Sequence, residues 1–63
     1  MNDTIEEIRK AIGEETINGL QESVSELLEI PQFRQYAKQG KLGLLDSRYR
    51  TIDQLISLGI LKV

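Results

Sequence analysis

The stretch that most constrains this chain is residues 16–30, TINGLQESVSELLEI. Its apolar residues Ile17, Leu20, Val24, Leu27 and Leu28 recur at the i, i+3, i+4, i+7 spacing of a helix with one buried face. At about 100° per residue the five fall within an arc of about 100°, the width of a core-facing stripe. Glu15, Glu22, Glu26 and Glu29 cluster on the opposite side. An isolated helix of this length is marginal in water, so the stripe must be covered by something.

The chain offers limited means of covering it. With 63 residues it forms at most one small domain, and a domain of this size buries only about 60% of the surface its unfolded chain exposes. Small scaffolds usually add a disulfide, a metal or a partner. Cysteine and histidine are both absent, which excludes disulfides and the usual zinc sites. Self-association, or docking on something larger, is what remains. The expectation is a homodimer or higher oligomer with Ile17, Leu20, Val24, Leu27 and Leu28 as its seam. The share of apolar residues, 40%, places the chain among folded rather than disordered proteins.

Further elements follow from local patterns. Asn2, Asp3 and Thr4 are helix-capping residues, and Thr4 with Glu7 makes a capping box ahead of the Ile5, Ile8, Ile12 stripe. On one straight helix that stripe would sit about 100° from the stripe of residues 17–28, so either the helix breaks or partners wrap it on two sides. Gly13 and the Asn18-Gly19 pair both permit a break. The reading favoured is one helix over about 3–12 and a second from 14 or 16 to 30; the alternative is a single long, bent helix. Pro31 ends that segment and suits the first turn of a third helix over 31–39, closed by Gly40. There Phe33, Tyr36 and Ala37 share the apolar side.

Residues 40–50, GKLGLLDSRYR, read as a loop that Leu42, Leu44 and Leu45 pin to the core, with Gly43 letting the chain turn. Thr51 and Gln54 form a second capping box for a fourth helix over 52–58. Gly59 is placed to end it in the left-handed conformation, with Ile60 folding back on Leu55. Residues 60–63 then make an extended tail that pairs with a second copy. The fold expected is all-α: a single domain over 1–63, a compact bundle of three or four short helices at about 3–12, 14–30, 31–39 and 52–58, assembled as a helical homodimer.

Charge divides along the chain. Residues 1–30 carry eight acids against Arg9 and Lys10, a net −6, while residues 31–63 carry six bases against Asp46 and Asp53, a net +4. Such asymmetry suggests a nucleic-acid face or charge-complementary packing between copies. The second needs no outside partner and is preferred.

The residues that carry chemistry are scarce. Without His or Cys, the commonest general base and the strongest nucleophile are missing, and no serine has a histidine to activate it. Glu22, Glu26 and Glu29 sit together but opposite the apolar stripe, where a solvated face is the ordinary outcome. A di-metal site in a helical bundle would need Glu-x-x-His. The segment Gly40-Lys41-Leu42-Gly43 lacks the spacing of a phosphate-binding loop. No catalytic, cofactor-binding or metal-binding residue is assigned. A transmembrane helix is not expected, since no run of about 18 apolar residues occurs, and the acidic opening is unlike a signal peptide. A cytoplasmic setting follows.

The candidate partner-binding residues are therefore Glu22, Glu26 and Glu29 on one side and Arg34, Lys38, Arg48, Tyr49 and Arg50 on the other. The function expected is a non-catalytic protein–protein interaction module: a small cytoplasmic regulator or inhibitor of a larger, unidentified protein, of the kind phages and plasmids encode. The alternative is a nucleic-acid-binding regulator using the basic half. Arg and Gln on the third helix match guanine and adenine edges, but a pI near 5.0 opposes that reading. The TIDQLISLGI ending closes helices in many folds and points to no one family.

Overall fold

Gly13 decides how the N-terminal half folds. In the computed structural model, which describes residues 3–63, Gly13 takes φ +94° and ψ 142°, a conformation open to glycine and costly for a residue bearing a Cβ. The helical run breaks there into α1 (Asp3–Ile12) and α2 (Glu14–Leu27). The bend turns both apolar stripes onto one core: Ile5, Ile8 and Ile12 pack half-buried against the cluster of Ile17, Val24, Leu55, Ile60 and Leu61. Arg9 spans the joint to Glu14 at 3.3 Å. Asn18 and Gly19, the other expected punctuation, lie inside α2. Thr4 lies inside α1 rather than at its cap, and Asn2 falls outside the described residues.

α2 stops at Leu27, three residues short of expectation. The cause is Pro31, which disfavours the helical conformation in the residue before it. Ile30 is accordingly extended, at φ −83° and ψ 119°. Its N–H bonds the Leu27 carbonyl at 3.0 Å, and that of Glu29 bonds the Glu26 carbonyl at 3.2 Å, the tightened pattern of a helix unwinding. α3 (Pro31–Gln39) begins at Pro31 and closes at Gly40, as the sequence indicates.

Between Gly40 and the last helix the chain is ordered by two 3₁₀ turns, Leu42–Leu44 and Ser47–Tyr49, rather than by a loop. The second turn runs directly into α4 (Arg50–Ser57), so the expected Thr51/Gln54 capping box does not form. Thr51 is already inside the helix, and the Arg50 N–H is satisfied by the Ser47 carbonyl. The capping side chain is instead Asp46, which accepts the Arg48 N–H at 2.9 Å. α4 ends as its sequence indicates: the Ile60 N–H reaches the Leu55 carbonyl at 2.9 Å and the Gly59 N–H the Ile56 carbonyl at 3.0 Å.

Residues 60–63 return to their own chain. Ile60 and Leu61 are buried in the first cluster, Leu61 at 1% exposure. The Gln21 amide of α2 clamps Lys62 from both sides, donating to its carbonyl at 2.9 Å and accepting its N–H at 2.8 Å. The expected seam is thus largely covered from within: Ile17 and Val24 are buried, Leu20 and Leu28 are half-buried against the same cluster, and Leu27 is half-buried against Phe33, Ala37 and Leu42. A second cluster of Phe33, Ala37 and Leu42 joins the first through Leu28, Ile52 and Ile56. All described elements are helical. The molecule measures 33 × 20 × 18 Å, and its radius of gyration, 11.7 Å, slightly exceeds the value of about 10.6 Å for a compact domain of this length.

Candidate functional site

The most elaborately braced part of the surface is the corner between α3 and α4. Asp53, in the first turn of α4, turns its carboxylate to the 3₁₀ turn at Leu42–Leu44. Its Oδ1 accepts the Leu42 N–H at 3.0 Å and its Oδ2 the Gly43 N–H at 2.9 Å. A carboxylate answering two backbone donors is a strong, directional strut. Gly43 also lies against Arg50: a Cβ built on it would stand 2.9 Å from the Arg50 Cγ. Leu42 is driven to 0% exposure beneath the corner, while Leu44 is pushed outward to 76%. Of the three leucines expected to pin this segment, Leu42 alone is buried; Leu45 is exposed as well.

The corner borders two shallow, open grooves. One, of about 270 Å³, is lined by Gly40, Lys41, Gly43, Leu44, Arg50 and Asp53. The other, of about 450 Å³, is lined by Gly40, Asp53, Gln54, Ser57 and Leu58, so the two meet at Gly40 and Asp53. Leu44 stands in one and the exposed Leu58 in the other. Asp53 is the carboxylate of this surface, and both its oxygens are engaged as backbone acceptors. Ser57 is the hydroxyl, in a chain with no histidine to activate it. The arrangement offers apolar contact and positive charge rather than a nucleophile and base.

The residues nominated from sequence are distributed unevenly around this corner. Arg50 is in the smaller groove, exposed, at the first position of α4. Arg34 instead closes α2: its Nε donates to the Leu28 carbonyl at 2.9 Å and its Nη2 to the Glu29 carbonyl at 3.5 Å. It supplies positive charge to a helix end with no basic residue in its own last turn. Arg48 pairs with Asp46 at 2.8 Å. The Arg48 guanidinium, and then the Arg48 backbone N–H, hold the Asp46 carboxyl below its ordinary value, and Asp46 raises Arg48 in turn. Tyr49 is half-buried, edge-on to Phe33 with ring centroids 5.7 Å apart and planes at 82°. Lys38 is exposed in the last turn of α3.

Glu22, Glu26 and Glu29 are all exposed, and none forms an ion pair among the described residues. No group of three acidic side chains gathers as a metal site would require, again among the described residues. Lys41, Leu44 and Asp53 also belong to the corner, beyond the residues that the sequence pattern indicates. Lys41 is visible as part of the basic run; the roles of Leu44 and Asp53 depend on a contact between segments about ten residues apart. Among the described residues no helix is long and apolar enough to cross a membrane. Comparison of the chain with protein-family models, with curated proteins and with solved structures found no match.

Proposed function

We propose that this chain is a non-catalytic protein–protein interaction module: a small cytoplasmic regulator or inhibitor that acts by covering part of a larger protein, and does so as a homo-oligomer. Its size fits the small inhibitors that phages and plasmids encode. The observation that carries the reading is Leu44, held 76% exposed on a turn braced by Asp53 and Gly43. An aliphatic side chain in that position adds little to its own core. Burying it on a partner would contribute about 25 cal/mol for each Å² removed from water. Bracing lowers the ordering cost of such a contact.

Nucleic-acid binding has less support from the geometry. Arg34 and Arg48 already serve the chain's own carbonyls and carboxylate, and Phe33 is buried beneath Tyr49 rather than offered as a stacking platform. Size-exclusion chromatography with light scattering, read at two absorbance wavelengths, separates the readings. With no Trp and two Tyr the chain absorbs weakly, so bound nucleic acid would stand out. The expected result is an assembly free of nucleic acid that Leu44→Ser weakens, while its thermal unfolding shifts by no more than the roughly 0.5 kcal/mol typical of surface changes. Co-eluting nucleic acid released by salt would replace this reading with the alternative.

A further inference from the structure

Two patches on this chain carry charge where their own helices disfavour it. Arg50 is the first residue of α4, at the positive end of the helix dipole, with Lys41 lining the same groove. Glu26 lies in the last turn of α2 and Glu29 just beyond it, at the negative end, with Glu22 one turn back on the same exposed face. Arg34 satisfies carbonyls at that end of α2 but leaves the three carboxylates unpaired. Lys41 and Arg50 likewise form no ion pair among the described residues. Each patch also carries an exposed aliphatic side chain: Leu44 beside the cations, and Ile30, at 50% exposure, beside Glu29. One patch is the chemical complement of the other.

We propose that the occupant of the Lys41–Leu44–Arg50 corner is the Glu22–Glu26–Glu29 ridge of a second copy of this chain. The proposal rests on the interaction-module reading and names the surfaces through which the module assembles. A two-fold pair places each ridge on the other copy's corner, so the contact forms twice and the assembly closes. It gives Lys41 and Arg50 carboxylate partners beyond Asp53, whose two oxygens are taken by backbone N–H groups, and it buries Leu44 and Ile30. None of the five charged side chains lies in the core, so all can be reversed without disturbing the fold. Arg50→Glu even brings to the start of α4 the sign of charge that the helix dipole favours.

The test is a charge swap. One variant carries Glu22→Lys, Glu26→Lys and Glu29→Lys; the other carries Lys41→Glu and Arg50→Glu; circular dichroism checks that both remain helical. Sedimentation equilibrium at low salt is expected to show wild-type dimers, with each variant alone self-associating at least about tenfold more weakly, since like charges then face each other. Mixed in equal amounts, the two variants are expected to restore a dimer containing one copy of each, identified by native mass spectrometry. A monomeric wild type, variants that self-associate as well as wild type, or a mixture that stays monomeric would each overturn the proposal. A wild-type monomer that still bound a foreign protein through Leu44 would keep the binding part of the interaction-module reading and remove its homo-oligomer part, whereas co-purifying nucleic acid would remove that reading altogether.

Discussion

Gly43 shows how much of this surface depends on a single missing atom. Its φ is not positive, so its value is not conformational; it is the approach of its backbone to Arg50. In Gly43→Ala the new methyl meets the Arg50 Cγ at 2.9 Å, while the Arg50 Cα at 3.7 Å and Asp53 Oδ2 at 3.5 Å stay at ordinary contact distances. The stem of Arg50 must then swing away, at a cost of about 1–2 kcal/mol, the low end of overpacking penalties. Adding Arg50→Ala removes the clashing carbon and is expected to recover most of that loss in a urea-denaturation double-mutant cycle. Equal costs with and without the Arg50 side chain would show that close approach is not what demands glycine there. Sequence marks the position as glycine and invites a turn; that the reason is contact with a residue seven positions on is a tertiary fact.

At the scale of elements, the ends of helices follow two kinds of cause. Pro31, Gly40 and Gly59 act on their immediate neighbours, so the start of α3 and the ends of α3 and α4 could be read locally. The start of α4 could not, because the 3₁₀ turn capped by Asp46 feeds it and makes the Thr51/Gln54 signal redundant. The return of residues 60–63 shows the same division. Their apolar character is plain, but the side chain that receives them, Gln21, is 41 residues away. Leu61 fills a core position at 1% exposure, so Leu61→Ala is expected to lose about 2–5 kcal/mol. Gln21→Ala removes both hydrogen bonds to Lys62, and a longer one to the Ser25 hydroxyl, at an exposed site and should lose only about 1 kcal/mol, while hydrogen exchange at the Lys62 amide accelerates. Unchanged Lys62 exchange in Gln21→Ala would show that the clamp does not hold the tail.

For the whole molecule, the division of charge is not resolved internally. The two ion pairs among the described residues, Arg9–Glu14 and Asp46–Arg48, are each local, and neither joins the acidic half to the basic half. Cohesion between the halves comes from apolar packing, through the tail and α4 on α2 and through Leu28, Ile52 and Ile56 between the two clusters, together with the hydrogen bonds of Gln21 to Lys62 and of Arg34 to the end of α2. Val24→Asp tests that. Val24 is 1% exposed at the centre of the larger cluster, and an unpaired carboxylate there costs several kcal/mol, comparable to the roughly 3–5 kcal/mol a core of this size supplies. The variant is expected to lose its helical circular dichroism outright. A folded Val24→Asp chain would mean that the stripe is less enclosed than its burial indicates.

Periodicity and local chemistry were enough to establish an all-helical chain, the break permitted at Gly13, the stop imposed by Pro31, the helix endings at Gly40 and Gly59, and the part of the core that Ile17, Val24, Phe33 and Leu55 supply. Each of these depends on residues within one or two turns of each other, where spacing alone defines the environment. What covers the α2 stripe was decided only in three dimensions: Leu55, Ile60 and Leu61 of the same chain do so, because the bend at Gly13 and the returning tail bring distant segments together. The same holds for the exposed corner, where Leu44 faces outward because Asp53 of α4 fixes the turn beneath it. A leucine's preference for burial is a statement about averages. Which of Leu42, Leu44 and Leu45 satisfies it depends on where the backbone is tied, and those ties come from elsewhere in the chain.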